Sequence, residues 1–459
     1  MTTRLFIPLA LVAALTGCAT LSPDGGVGAV QADLRTHLPQ DVGVPRDAAR
    51  SRVRALLAEP LAAGDAVQIA LLNNAGLLGG FDALVEAETR VVAARRLPNP
   101  GIAIARLTRG EEVEWERSLH LDLARLLTMP LRADVESRLY ERARRALVLD
   151  VLRLAADTRR AWIEAVATAQ SARYQQDALA VAEAGADLAR RMVETGNWSV
   201  LRQTREQRAY ADAALTAARA EQQAKRARER LVRLLGLDDD ASLRLPERLP
   251  DLPDALPPLP AVEQQAMDSR IDLQVARLQA ESLAADLGLT RRTRFVNVLE
   301  LGVVSNDSNV EPTQRGYEIG FELPLFDGGA TRVAAAEARY RQALMQTREL
   351  AVAARSQVRE AYALRQSQYA IARHLRDEVV PLAQRASDET LLRYNGMLVD
   401  VFALLADARD RVAAVDAALD AQRDYWLAEA DFDEARVGKP AERPIGLAPL
   451  AASARADGH

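Results

Sequence analysis

The sequence matches itself. Sliding it by 200 positions lays "LHLDLARLLTMPLRADVESRLYERARRAL", from Leu119, over "IGFELPLFDGGATRVAAAEARYRQALMQT", from Ile319. Tyr140 then falls on Tyr340, Arg159-Arg160-Ala161-Trp162 on Arg359-Glu360-Ala361-Tyr362, and Gly196 on Gly396, all in one ungapped frame. Upstream, "ALLNNAGLLGGFDALVEAETRV", from Ala70, pairs with "AMDSRIDLQVARLQAESLAADL", from Ala266, in a frame four residues shorter. Solenoid units repeat every 20 to 50 residues or so, and a period this long marks a duplicated half of a domain. Each half reads helix, strand, strand, long helix, turn, helix. Between them lies "GLDDDASLRLPERLPDLPDALPPLP", whose prolines from Pro246 to Pro260 predict an extended connection.

The strands alternate between two environments. Tyr317, Ile319, Phe321, Leu323 and Leu325 fall on one face, and Glu318, Gly320 and Glu322 on the other. In the first copy Leu119, Leu121 and Leu123 alternate with Ser118, His120 and Asp122. Less regular strands precede them, around Ile102 to Leu107 and Phe295 to Val304. The helices that follow hold almost no breaker from Pro130 to about Glu194 and from Ala330 to about Arg393. Sixty helical residues reach roughly 90 Å, too long for a compact domain. Pro381 predicts a bend in the second helix. Glycine turns follow, in "ETGNWSVL" at Gly196 and "RYNGMLVDVF" at Gly396, and a return helix ends near Gly236 or Gly438.

The N-terminus reads "MTTRLFIPLALVAALTGCAT": Arg4, a short apolar stretch, then Leu15-Thr16-Gly17-Cys18. This is the layout of an export signal. Its end resembles the bacterial lipobox, in which the signal is cut before the cysteine and the thiol is acylated. Ala19 follows, and lipoprotein sorting rules then imply delivery to the outer membrane. Cys18 is the chain's one cysteine, which excludes an internal disulfide. No later segment offers eighteen uncharged apolar residues, so any crossing of a bilayer must be made by strands. Lipid tolerates no open sheet edge. Four strands cannot close alone, so a membrane reading demands an oligomer: two chains would give eight strands and three would give twelve. Asp327-Gly328-Gly329 is then the junction between stave and helix. In the first copy Thr128-Met129-Pro130 takes that place, with Thr128 as cap and Pro130 at the first helical position.

With these features the chain resembles the TolC-like outer-membrane efflux proteins. The resemblance rests on "RLPNPG" from Arg96, "LPLFDGG" from Leu323, "RYNG" from Arg393, "RIDL" at Arg270, "NNAGL" at Asn73 and the duplication itself. It implies a mainly helical fold with a β-barrel part. Three chains would build a twelve-strand barrel continued by a twelve-helix tunnel. The implied domains are a signal peptide (1–17), a lipidated segment (18–64), efflux repeats (65–236 and 261–438) around a Pro-rich linker (237–260), and a tail (439–459). Implied partners are a homotrimer, outer-membrane lipid, a periplasmic adaptor and an inner-membrane pump, with the channel conducting drugs or metal ions passively.

Little points to chemistry. The chain has 27% charged residues and a net charge of -5 without a basic stripe, so no nucleic-acid partner is expected. His37, His120, His374 and His459 are scattered, and no phosphate loop or nucleophile motif appears. No catalytic residue, cofactor or metal site is expected. Glu111, Glu112, Glu114 and Glu116 read as a solvated loop between strands. Asp400 follows the Gly396 turn, where the family places acidic rings at the tunnel's periplasmic mouth; the position of a second ring is Ala403 here. The other reading of Asp400 is an acid stabilised at a helix N-terminus. Alternative functions are a periplasmic adaptor lipoprotein, whose single hairpin would be flanked by lipoyl-like halves, an outer-membrane component of type I secretion, and a coiled-coil scaffold.

Overall fold

A computed structural model describes residues 20–239, 243–257, 261–295, 298–322, 325–326 and 328–440. Among the described residues four short or medium helices come first: α1 (Val27–Leu34), α2 (Arg46–Leu56), α3 (Ala63–Asn73) and α4 (Ala75–Ala94). Strands β1 (Gly101–Arg109) and β2 (Glu112–Asp122) follow, then α5 (Leu123–Glu194) and α6 (Val200–Leu235). The second half repeats the order with α7 (Val262–Ser269), α8 (Ile271–Arg292), β3 (Leu299–Ser308) and β4 (Gln314–Phe321). It ends with α9 (Ala330–His374), a π turn (Leu375–Val379), α10 (Val380–Asn395) and α11 (Val401–Val437).

The spine is α5, 72 residues long and therefore roughly 110 Å from end to end. Its middle is core: Val148, Val151, Ala161, Trp162 and Val166 are all buried. Around them pack Leu61, Ile69, Leu231, Leu235 and Leu249 on one side, and Val30, Leu34, Leu71 and Leu84 on another. Each such side chain contributes on the order of 1.5 to 3 kcal/mol by leaving water. The indole Nε1 of Trp162 donates to Leu61 O at 2.7 Å, so the largest ring in this core leaves no polar atom unmet.

Helix α5 begins seven residues before the expected start. Asp122 is the cap, its carboxylate accepting from Arg125 N at 2.7 Å, and Pro130 lies inside the helix. Thr128 does not cap. Its hydroxyl donates back to Ala124 O at 2.7 Å, the mid-helix habit of threonine. Leu123, expected in a strand, is the first helical residue. In the second half the strand ends at Phe321, so Glu322 and the turn residue Leu325 lie beyond it; Leu323 is outside the described residues. Likewise β3 starts at Leu299, and Phe295 precedes it in a bend. Pro381 acts without ending its helix: it cannot donate to the carbonyl four residues back, and the π turn Leu375–Val379 stands immediately before it.

The four strands form one antiparallel sheet in the order β1-β2-β3-β4. Strands β1 and β2 join through Gly110-Glu111, with Arg109 opposite Glu112. Strand β2 pairs with β3 from the other half of the chain, Leu119 opposite Val303. The sheet is thus where the two halves meet edge to edge.

The proline-rich stretch is packed along the helices. Leu243, Leu249 and Leu252 are buried. Its carbonyls accept from three helices: Trp426 Nε1 to Pro250 O at 3.0 Å, Tyr369 Oη to Pro253 O at 2.9 Å, and an Arg228 guanidinium nitrogen to Leu243 O at 2.6 Å. Proline carries no N–H, so a strap of this composition can be buried once its carbonyls are met.

Candidate channel wall and hairpin tips

Cross-strand register gives each face of the sheet its residues. Ile102, Leu119, Val303 and Tyr317 share one rung of the apolar face, and Leu121, Leu301 and Ile319 the next toward the helices. The opposite face holds Glu112, Glu114, Glu116, Asp122, Glu300 and Glu318, six carboxylates, with Arg109 and His120. Three of the glutamates expected in a loop are therefore strand residues: only Glu111 sits in the turn, and Glu112, Glu114 and Glu116 follow it along the polar face of β2. On that face His120 lies across Gly101, where a Cβ would meet its Nε2 at 2.0 Å. Ile102, Ile319, Phe321 and Tyr317 are more than half exposed, so none of the described residues covers the apolar face. Among the described residues, strands β1 and β4 each have one free edge.

At the second junction Gly328 and Gly329 take φ of 53° and 69°. A Cβ on Gly329 would come within 2.5 Å of Arg294 O, so the strand-to-helix turn needs glycine for space as well as for angle. Asp327 lies outside the described residues. At the tips, Gly196 has φ 75°, whereas Gly396 has φ -80° and the left-handed position passes to Met397 at 56°. In both tips a pair of backbone bonds closes the helix end: Asn197 N to Met192 O and Gly196 N to Val193 O, against Leu398 N to Arg393 O and Met397 N to Tyr394 O. Both tips leave the same gap between helices, 195–199 and 396–400, so the second is the first moved on by one residue in the repeat frame. The tips touch through Trp198 and Phe402, stacked at 4.1 Å.

Asp400 caps α11, its carboxylate accepting from Ala403 N at 3.0 Å. Cys18 lies outside the described residues. Three and four residues later the chain is placed: Leu21 borders the same cleft as Leu97, Gly101 and Asp122 at the strand-helix junctions, and Ser22 donates through N and Oγ to Glu88, both at 2.8 Å. Among the described residues no group of His, Cys, Asp and Glu is arranged to hold a metal ion, and no helix is long and apolar enough to cross a membrane.

Sequence reading gave no role to the side chains that clamp the helices together, although two of them lie in quoted motifs. Arg270, fully buried, forms a two-pronged ion pair with Asp272 and donates to Ala435 O at 3.2 Å and Ala354 O at 3.4 Å. It is the first residue of "RIDL", so the motif marks a joint. Asn73 and Asn74 of "NNAGL" do the same for the first half, donating to Leu235 O and Leu234 O at 3.1 Å, while Asn74 also caps α4. Between the halves, Arg160 binds Glu434 at 2.6 Å, Asp157 at 2.6 Å and Asp431 at 3.0 Å. Burial pulls its pKa down, but the bonds to Glu434 and Asp157 outweigh burial and hold it above the ordinary arginine value. Three acids around one arginine, two of them on another helix, leave no local spacing to read.

The sequence matches no known family profile and no curated protein. Solved structures do match. A membrane protein from Pseudomonas aeruginosa superposes with a TM-score of 0.69 at 20% identity, over 84% of this chain and 93% of its own. The outer-membrane channel OprN gives 0.69 at 17% identity over 84% and 91%, and the outer membrane protein VceC from Vibrio cholerae 0.67 at 16% over 82% and 96%. In architecture this chain shares the fold of these solved proteins, four strands carried on two long helical hairpins.

Proposed function

We propose that the chain is the exit duct of a tripartite efflux system, a passive outer-membrane channel that receives solutes from an inner-membrane pump through a periplasmic adaptor. The observation that carries the reading is the four-stranded sheet with an uncovered apolar face, a carboxylate-rich opposite face and two free edges. A soluble protein would cover the first and blunt the last. Three copies joined β1 to β4 make a twelve-strand barrel, apolar toward lipid and acidic toward a water-filled lumen. The long helices then span the periplasm, and acyl chains on Cys18 anchor the chain close to the junction that Leu21 borders. Asp400 is the candidate for narrowing the periplasmic mouth, in addition to its cap bond. A chain of this kind performs no catalysis and needs no cofactor.

Native mass spectrometry in detergent should give a threefold species with a lipid adduct at Cys18, and planar bilayers should show discrete conductance steps. A stable detergent-free monomer would refute the barrel. Ile319→Arg and Phe321→Arg should impair assembly far more than Glu318→Gln, because arginine facing lipid costs about 2 to 4 kcal/mol near the midplane while the lumen is already wet.

A further inference from the structure

We infer that the outward face of the sheet carries a basic belt that binds the phosphate-bearing headgroups of the outer lipid leaflet. The inference rests on the exit-duct reading. Beyond the apolar rung of Ile102, Leu119, Val303 and Tyr317, the next rung on the same face is Ile104, Arg117, Ser305 and Arg315, and the one after it holds Arg106, Trp115 and Asp307. Two residues along a strand advance about 7 Å, so the face turns from hydrocarbon to cationic within one rung. The turn is on the side away from the helices, which is the outer side of a membrane whose inner side meets the periplasm.

Charge is sorted across this sheet. The outward face of the strands has three arginines, all exposed, and one carboxylate, Asp307, which binds Arg117 at 2.7 Å. The inward face has six carboxylates and one arginine. A sheet in water gains nothing from such sorting, since both faces meet the same solvent. A sheet between a lumen and a lipid leaflet does. Arginine facing lipid costs least near the interface, and the belt sits at the edge of the apolar band. Trp115, with the Arg106 guanidinium 5.9 Å from its ring centroid, stands on the outer rung of the belt and the exposed Tyr317 on the apolar rung just below it, so aromatic rings bracket the depth at which they collect in membranes. Guanidinium forks match phosphate oxygens in pairs, which an ammonium cannot do. Moreover Arg106 lies on edge strand β1 and Arg315 on edge strand β4, so closing the barrel sets the two basic edges beside each other at each seam between chains.

The test uses the full-length lipidated trimer and native mass spectrometry, with lipid A carrying its phosphates and the same lipid stripped of them as probes. The wild type should retain the phosphorylated form over the stripped form, and Arg106→Gln with Arg315→Gln should lose that preference, on the order of fivefold for each arginine. Arg109→Gln, on the lumen face, should leave it unchanged. Equal retention of the two lipids by a wild-type trimer, or an unaltered preference in the double variant, overturns the belt and leaves the channel standing. A wild type that forms no lipid-inserted trimer overturns the channel reading, and the belt with it. Should the double variant fail to assemble, the wild-type preference must still weaken as salt rises, and a salt-independent preference counts against the belt.

Discussion

The two halves of the chain do the same structural jobs with different chemistry. Both must hold the C-terminus of a return helix, α6 or α11, against the start of the helix that leads into the strands, α4 or α8. In the first half Asn73 and Asn74 meet the carbonyls of α6 as neutral donors; in the second, Arg270 meets α11 as a buried cation that brings its own counter-ion, Asp272. Asn74 and Arg270 are equivalent in the upstream frame of the repeat. Both halves must also pass from strand to helix. The first does so with no linker, Asp122 ending β2 and capping α5, while the second uses a glycine turn. Both tips close with a left-handed residue, glycine in one and methionine in the other. Duplication has kept the hydrogen-bonding requirement at each position, and a requirement can be met by whichever side chain reaches the same carbonyl.

The comparison breaks or sharpens at four places. The largest effect is expected at the clamps. Arg270→Ala leaves the Asp272 carboxylate buried without its counter-ion, held only by Leu273 N, and should cost about 3 to 5 kcal/mol, against roughly 1 to 2 kcal/mol for Asn74→Ala, which loses a neutral bond and a cap. Denaturant unfolding of the two variants checks this, and equal losses would mean that the clamps are one device in two spellings. Next comes the junction. Gly329→Ala places a Cβ against Arg294 O at a left-handed φ and should cost about 1 to 3 kcal/mol. Met129→Ala, at the matching position inside α5, should cost under about 1 kcal/mol. Similar losses at both would contradict the different junction geometries.

The tips should respond with opposite signs. Met397 is 93% exposed and pays for a left-handed backbone with no packing in return. Met397→Gly should then steady the second tip by about 1 kcal/mol and Gly196→Ala should loosen the first by a similar amount, read by hydrogen exchange at the tip amides. If both substitutions loosen, the methionine is held by contacts that the isolated chain lacks. Smallest in stability is Asp400→Asn, because asparagine caps a helix about as well as aspartate. Its effect should appear in planar bilayers instead, as lost cation preference and weaker block by multivalent cations. Unchanged selectivity with lowered stability would leave Asp400 a cap alone.

The sequence alone determined what depends on neighbours a few residues apart. The period of two in β2 and β4 is local, so the face of Ile319 and Glu318 was legible, as were helices made of Ala, Leu, Arg and Glu with almost no breaker. Local signals failed where two of them compete within one turn: Asp122 and Thr128 both qualify as caps, and only the end of the pairing between β2 and β3 at Asp122 decides for the first. The same holds for Glu112, Glu114 and Glu116, which read as loop by composition and are strand by register with β1. Tertiary structure alone decided the clamps and the strap. Arg270 finds its partners 84 and 165 residues away, and Trp426 meets Pro250 176 residues away. A buried donor's partner is fixed by which carbonyl the packing leaves unpaired, and that is settled only when long helices from both halves lie side by side.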